Sequence, residues 1–183
     1  MGTRTLILVL GTDGSGKSTL CERLLTSLPE PSAYVYFGLR EARMPWLRRY
    51  YERHGDNNIF ARIFLFSLDY LLRRGALPDE GFVLVDRVPG WGVVSGNPVL
   101  RWIYRCVLPS ASVAILCHGT AEAIIARKPE RSLEGCRRDL VKWRDVYERY
   151  PAHRKIAIDT VALDEMASAQ TALDFILTTP KSS

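Results

Sequence analysis

Residues 11–19 constrain this chain more than any other part of its sequence. They read Gly-Thr-Asp-Gly-Ser-Gly-Lys-Ser-Thr, which matches the pattern GxxxxGK[ST] of a phosphate-binding loop, or P-loop. An apolar run over residues 5–10 precedes the loop, and a helical pattern over residues 20–28 follows it. Because a P-loop joins a buried strand to the amino end of a helix, these flanking segments support the match and predict a nucleotide-binding site.

The residue types in this loop suit the phosphates of a nucleotide. Glycine lets the backbone turn its N–H groups inward, and the following helix adds the positive end of its dipole. Lys17 supplies a positive charge for the β- and γ-phosphates, and the Ser18 hydroxyl is placed to bind Mg²⁺. We therefore expect the nucleotide to be held by Gly11, Thr12, Asp13, Gly14, Ser15, Gly16, Lys17, Ser18 and Thr19.

Composition fits a globular enzyme. The chain has 183 residues, of which 47% are hydrophobic and 25% are charged, which suits one domain with one sizeable core. Its formal net charge is +5, and the basic runs Arg48-Arg49 and Arg73-Arg74 are short and separate. Since an enzyme that binds two anionic substrates needs excess positive charge, this balance predicts no nucleic-acid partner.

The cysteines and the apolar segments bear on where the protein works. No cysteine forms a CxxC pair, and no histidine lies at metal-ligand spacing from one. The first apolar run is too short for a secretory segment, and no stretch approaches the length of a membrane span. We therefore expect reduced thiols, a cytoplasmic protein and no membrane partner.

Short apolar runs alternate with helical patterns along the chain. The predicted strands are residues 6–10, 34–37, 82–86, 112–117 and 155–158, and the predicted helices are residues 20–28, 59–74, 99–107, 121–127 and 133–150. Because the apolar runs lack strict alternation, they fit parallel strands that are buried on both faces. The sequence therefore predicts an α/β fold of the P-loop NTPase class, a five-stranded parallel sheet with helices on both faces, in one domain over residues 1–183.

Asp86 and Arg87 stand at the end of the third predicted strand. Ligands of an open parallel sheet lie beyond the carboxyl ends of its strands, so both residues are expected beside the P-loop. An acid in this place is the usual companion of a P-loop and holds Mg²⁺ directly or through water. A cation next to that acid suits the phosphate of a second substrate. We predict catalytic roles for Lys17, Asp86 and Arg87, with Asp86 and Ser18 as metal ligands.

These motifs resemble those of the thymidylate kinase family of nucleoside monophosphate kinases. The P-loop carries the family's Asp-Gly at Asp13-Gly14, and Asp86-Arg87 matches the family's Asp-Arg pair. Phe66 lies in the region where the family places a phenylalanine that stacks on the acceptor base. The resemblance implies transfer of the γ-phosphoryl group of ATP to a monophosphate acceptor, with ATP and Mg²⁺ as cofactors.

The resemblance also implies further site residues. Those expected to bind the acceptor are Asp13, Arg40, Phe66, Tyr70 and Arg87. Arg40 is included because it follows the second strand, where the family places a functional arginine. Residues 127–133 resemble the family's lid, from which Arg127, Lys128 and Arg131 are expected to close over the transferred group, with Arg127 and Arg131 as catalytic cations.

The acceptor half of the sequence departs from the family pattern. Tyr70 takes the place of an arginine that reads the thymine edge, and Val88 replaces the tyrosine of Asp-Arg-Tyr, which makes thymidylate an unsafe prediction. The small-molecule acceptor is left open between a nucleoside monophosphate, a nucleoside, and a sugar or related metabolite. A nucleotide-binding regulatory protein without phosphotransfer is a further alternative, and a homodimer is left open. The chain lacks the Asn-Lys-x-Asp segment of switch GTPases.

Overall fold

A computed structural model of the chain describes residues 3–55, 58–129 and 131–178. Within these residues five strands form one parallel sheet in the order β2-β3-β1-β4-β5. The strands are β1 (Arg4–Leu10), β2 (Ser32–Tyr36), β3 (Gly81–Asp86), β4 (Ala111–His118) and β5 (Ala152–Asp159). The predicted five-stranded parallel sheet is confirmed, with strand ends a few residues from those expected.

Helices connect the strands in chain order. They are α1 (Lys17–Ser27), α2 (Pro45–His54), α3 (Ser67–Arg74), α4 (Gly90–Val93), α5 (Pro98–Val107), α6 (Ala121–Arg127), α7 (Leu133–Arg149) and α8 (Glu165–Leu177). A 3₁₀ turn at Leu39–Glu41 follows β2, and a π-helical segment at Ala61–Phe66 leads directly into α3. Among the described residues, no helix is long and apolar enough to cross a membrane.

The sheet is buried on both faces, as the apolar runs predicted. In β1, Leu6 and Leu8 belong to one buried cluster, whereas Ile7 and Val9 belong to the other. Helices α1 and α8 cover the face of Ile7 and Val9, and α2, α3, α5 and α7 cover the opposite face. Successive side chains of a strand point to opposite faces, so a run of apolar residues is what two covering layers require.

Four helical features differ from the sequence-based expectations. The predicted helix over residues 59–74 is divided, since its first part is π-helical. Helices α2, α4 and α8 were not predicted at all. The buried face of α8 is made mostly of small residues such as Ala169 and Ala172, which give a weak apolar pattern. Its start is marked instead by Asp164, whose side chain accepts a hydrogen bond from the Ala167 N–H at 2.7 Å.

Strand pairing places the functional motifs at one edge of the sheet. Val9, just before the P-loop, is paired with Asp86, and His118 is paired with Asp159. These residues all lie at or near the carboxyl ends of their strands. The P-loop, the residues after β3 and the residues after β5 therefore converge, as the parallel topology predicted.

Candidate active site

The P-loop has the backbone geometry that its glycines permit. Gly11 and Gly16 have positive φ angles of 146° and 78°, which side chains other than glycine rarely adopt. A Cβ at Gly11 would also lie 2.4 Å from the Cys117 carbonyl oxygen, so the loop passes too close to β4 for any side chain there. The Ser15 hydroxyl, at 2.8 Å, and the Ser15 N–H, at 3.2 Å, donate to the Thr12 carbonyl and close the turn.

Lys17 lies beneath this loop at the start of α1. Its side chain is buried, and its ammonium group donates a hydrogen bond to the Thr12 carbonyl. Burial and the nearby Arg87 lower the pKa of Lys17, although Asp13 and Asp86 act in the opposite direction. Lys17 is thus a positive charge held in place inside the loop, with little water around it.

Asp86 is buried at the end of β3, with its two carboxylate oxygens in different surroundings. Oδ2 accepts a hydrogen bond from the Tyr34 hydroxyl at 3.1 Å, whereas Oδ1 has no hydrogen-bond partner among the described residues. Burial raises the pKa of Asp86, even though Lys17 and Arg87 both favour the charged form. A buried carboxylate oxygen without a hydrogen-bond donor lowers the stability of the fold, which indicates that this oxygen binds a ligand.

The donor set fits a magnesium ion. Mg²⁺ takes oxygen ligands and is usually held by one or two protein groups together with substrate phosphates and water. The free Oδ1 of Asp86 and the exposed hydroxyl of Ser18 are groups of that kind. Within the described residues no group of three or more His, Cys, Asp or Glu residues could hold a metal ion by itself.

Asp13 links the P-loop to two arginines. Its Oδ1 accepts from Arg87 Nη1 at 2.6 Å, and its Oδ2 accepts from Arg131 Nη2 at 3.0 Å. Burial favours protonation of Asp13, but the positive charges of Arg87, Lys17 and Arg131 together outweigh it and lower the pKa of the carboxyl group. Arg131 also donates a short hydrogen bond to Asp139 of α7. The carboxylates of Asp13 and Asp139 therefore hold the Arg131 guanidinium between them.

Arg87 has an unusual backbone conformation. Its φ angle is 64°, and no other non-glycine residue among those described has a positive φ. That left-handed conformation costs about 1 kcal/mol or more for a residue with a Cβ and persists where the surroundings enforce it. Here the ion pair with Asp13 holds the side chain, and the left-handed backbone conformation is kept with the guanidinium directed toward the P-loop.

Two cavities flank these residues. The larger, which we call the donor cavity, has a volume of about 630 Å³ and extends from the P-loop toward α8. The smaller, which we call the acceptor cavity, has a volume of about 350 Å³ and lies between the P-loop, α2 and α7. Lys17 and Arg87 line both cavities. The two charges therefore stand where the cavities meet.

The acceptor cavity is rich in charged groups. Arg87, Arg131 and Lys142 supply positive charge, while Asp13 and Asp139 supply carboxylates. Tyr51 and Trp143 add aromatic surface. A compound with an anionic group, hydroxyl groups and a planar or apolar part finds a matching partner for each of them here.

Comparisons with known proteins bear on the fold that carries this site. A scan against protein-family models finds no match, and a search of curated protein sequences finds none. Solved structures do match over nearly the whole chain. A thymidylate kinase from Candida albicans is 18% identical, with a TM-score of 0.65 over 96% of this chain and 92% of the other.

Two further solved structures are similar. A deoxyadenosine kinase from M. mycoides, solved with bound dATP, is 17% identical, with a TM-score of 0.60 over 94% of this chain and 99% of the other. A sugar kinase from a Janibacter species is 16% identical, with a TM-score of 0.57 over 97% of this chain and 96% of the other. The chain has the α/β P-loop NTPase fold that these structures share. The resemblance drawn from the motifs is confirmed as far as that fold.

Within this fold, two of the expected acceptor residues line neither of the two cavities. Phe66 and Tyr70 are 0% and 1% exposed and belong to the core under α3. Tyr70 stacks on Phe37 at 5.6 Å between ring centroids, and Phe66 packs edge-on against Trp91 at 6.4 Å. Both rings are occupied in packing, and neither lines the acceptor cavity, so the structure does not bring them to it.

Arg40 lies nearer to the site but outside both cavities. It is exposed in the 3₁₀ turn after β2. Burial raises the pKa of Tyr36, while Arg87 and Arg40 both act to lower it, so the two arginines approach the same side chain. Arg40 thus stands at the rim of the acceptor side and does not line the acceptor cavity.

The cations of the predicted lid are divided between the cavities. Arg127 and Lys128 line the donor cavity, and Arg127 donates to the Thr160 carbonyl at 3.0 Å. Arg131 lines the acceptor cavity. Residue 130, within the predicted lid at 127–133, lies outside the described residues. Segment 127–133 therefore contributes positive charge to both sides of the P-loop.

Sequence reasoning missed several residues that build the site. Thr160, after β5, donates from its hydroxyl to the Ser15 carbonyl at 2.8 Å and ties the P-loop to the neighbouring strands. Asp139, Lys142 and Trp143 of α7 line the acceptor cavity. Their spacing places them on one side of a helix, a signal that carries no function until the helix is known to face the P-loop.

Proposed function

We propose that this protein is an ATP-dependent phosphotransferase that moves the γ-phosphoryl group of ATP to a small acceptor. One observation carries the proposal: a donor cavity and an acceptor cavity meet at Lys17 and Arg87. A reaction in which a phosphoryl group passes between two bound molecules requires that arrangement. A protein that only bound a nucleotide would not need the second, charged cavity.

The roles of the chain's residues follow from their positions. The P-loop N–H groups and Lys17 hold the β- and γ-phosphates of the donor, and Arg127 and Lys128 bind from the far side of the donor cavity. Ser18 and Asp86 would hold Mg²⁺, which neutralises developing charge when bound. Arg87 and Arg131 stabilise the transferred group from the acceptor side. Chemistry of this kind needs positioned charge and exclusion of water more than acid–base catalysis.

The acceptor we favour is a nucleoside monophosphate. Its phosphate would bind Arg87, Arg131 and Lys142, and its sugar hydroxyls would donate to the carboxylates of Asp13 and Asp139. Its base would lie against Trp143 or Tyr51, since Phe66 and Tyr70 are buried. Arg40, at the rim, would approach the acceptor only from outside the cavity.

A sugar or related metabolite is the second candidate acceptor. The two carboxylates that line the acceptor cavity favour it, because carboxylates accept hydrogen bonds from several hydroxyl groups at once. Its modest volume of about 350 Å³ also suits a compact acceptor. A sugar kinase is among the similar structures.

The test is a screen of acceptors by ADP release. The panel holds ATP and Mg²⁺ constant and compares nucleoside monophosphates, including thymidylate, with nucleosides and unphosphorylated sugars. We expect one acceptor class to accelerate ADP release well above the rate with ATP alone, and the Lys17→Ala variant to abolish that increase. If ATP binds but no acceptor accelerates its turnover, the chain is a nucleotide-binding regulatory protein instead.

The remaining features of the proposal concern the whole chain. We propose a single kinase domain over residues 1–183, with residues 127–133 as a lid that closes over the two cavities. We also propose that the protein works in the cytoplasm, on small molecules and without nucleic acid. Limited proteolysis with and without nucleotide tests the lid. Closure should protect the peptide bond between Arg127 and Lys128 from cleavage by trypsin.

A further inference from the structure

A third cavity, which we call the arginine cavity, lies at the opposite edge of the sheet. Its volume is about 520 Å³, and its walls include Leu108 and Tyr150, which precede β4 and β5. It shares no lining residue with the donor cavity or the acceptor cavity. The amino ends of the strands are far from the P-loop, so the phosphotransfer reaction does not account for this cavity.

Three arginines give the arginine cavity its charge. Arg101, Arg105 and Arg149 line it, and no acidic residue is among its described lining residues. Arg101 donates to the Ser95 carbonyl at 2.9 Å, and Arg149 donates to Asp145 at 2.5 Å. Both guanidinium groups are thereby oriented with N–H donors to spare, since each carries five. Three guanidinium groups around one cavity attract an anion, above all a phosphate group.

The remaining walls are apolar and aromatic. Trp102 is 67% exposed at the cavity, and Val93, Pro98 and Leu108 line it with apolar surface. An exposed indole beside arginines offers a face on which a planar ring can stack. The volume approaches the 630 Å³ of the donor cavity, which leaves room for a purine ring together with its sugar and phosphate.

We propose that the arginine cavity is a second nucleotide site, which binds a purine mono- or diphosphate by stacking on Trp102 and by contacts from Arg101, Arg105 and Arg149 to the phosphate. A cavity of about 520 Å³ fits a single mononucleotide, whereas a nucleic-acid strand needs a groove that continues along the surface. This site is separate from the proposed phosphotransfer, and its presence does not depend on that function.

Photolabelling with 8-azido-ADP, followed by peptide mapping, tests the site. We expect label on a peptide from the donor cavity and, separately, on a peptide that contains Trp102 or Tyr150. The double variant Arg105→Gln/Arg149→Gln should weaken labelling at the second position about tenfold or more, because each lost contact joins a charged donor to phosphate. Inorganic pyrophosphate should compete at both positions.

Two controls make the result specific. Arg144→Gln removes an exposed arginine of α7 that lines none of these three cavities, and it should leave both labels unchanged. The double variant should keep its donor-cavity label, which shows that the chain is folded. Label confined to the donor cavity, or a second label that the double variant does not weaken, would overturn the proposal.

Discussion

Arg87 donates a hydrogen bond to the carboxylate of Asp13 across 2.6 Å, and this contact joins the end of β3 to the middle of the P-loop. The guanidinium is held there although its backbone φ angle of 64° is unfavourable. Because Asp13 also binds Arg131, one carboxylate positions two cations at the edge of the acceptor cavity. We therefore expect these cations to be arranged before a substrate binds.

The first prediction concerns the pH dependence of this contact. Because the pKa of Asp13 is lowered in the folded state, its contribution to stability is present above the ordinary value of 3.8 and is lost as the pH falls through the lowered pKa. Asp13→Asn should reduce the free energy of unfolding at pH 7 by about 1 kcal/mol or less, since water screens the partly exposed arginines. Urea unfolding at pH 7 and at pH 3 measures this; an equal loss at both would contradict the ionic explanation.

The Asp86 carboxyl group should change the free energy of unfolding with pH in the opposite direction. Its pKa is raised by burial, so the charged form costs stability at neutral pH, and the wild-type chain gains stability as the pH falls through that raised pKa toward the ordinary value of 3.8. Asp86→Asn should therefore raise the free energy of unfolding at pH 7 by about 1 kcal/mol while it weakens Mg²⁺-dependent turnover. Thermal melts and a magnesium titration of the rate check both halves. A variant that is less stable but fully active would contradict the proposed metal role.

Lys17→Ala should separate catalysis from folding. Among the described residues, the Lys17 ammonium group donates a hydrogen bond only to the Thr12 carbonyl of its own loop, so its loss should leave the melting temperature nearly unchanged. Phosphotransfer should fall about 100-fold or more, since the lysine stabilises charge on the transferred group. The variant's melting curve and its turnover number at saturating substrates give the two readings. Undiminished turnover would remove Lys17 from the mechanism.

A stripe of exposed apolar side chains favours a homodimer, which the sequence alone neither predicted nor excluded. Phe60, Phe64, Leu68 and Leu71 follow one another at helical spacing, and they are 71%, 64%, 49% and 49% exposed. A self-complementary interface between two copies would bury the same stripe on each, and monomers rarely expose patches of this kind. Sedimentation equilibrium should show a dimer that Leu71→Glu dissociates, whereas Val141→Glu on α7 should not. A wild-type monomer at all concentrations would contradict the prediction.

The fold and the residues of the P-loop could be predicted because the sequence patterns that indicate them are short continuous segments. The P-loop is one continuous segment, and Asp86-Arg87 ends an apolar run, so chain order alone brings them to one edge of a parallel sheet. The acceptor side depends on contacts between distant segments. Arg131 and Asp13, for example, are 118 positions apart in the chain.

Phe66 and Tyr70 show why a short motif was not enough. The π-helical segment at Ala61–Phe66 has more residues per turn than an α-helix, so it changes which side chains of the following helix face the sheet. Phe66 and Tyr70 turn into the core, while Phe64 stays exposed. Propensity and spacing do not reveal such a segment, and the direction of these rings could not be inferred without the tertiary structure.

We propose above all that a phosphoryl group passes from the donor cavity to an acceptor beside Arg87. The most direct test supplies ATP labelled with ¹⁸O in the γ-phosphoryl group, together with the acceptor that most accelerates ADP release, and follows the label by mass spectrometry. We expect the label to appear in the phosphorylated acceptor in an amount equal to the ADP formed, and Arg87→Ala to reduce it mainly through a higher KM for the acceptor. Label found only in inorganic phosphate would show ATP hydrolysis without transfer to an acceptor and would overturn the proposed function.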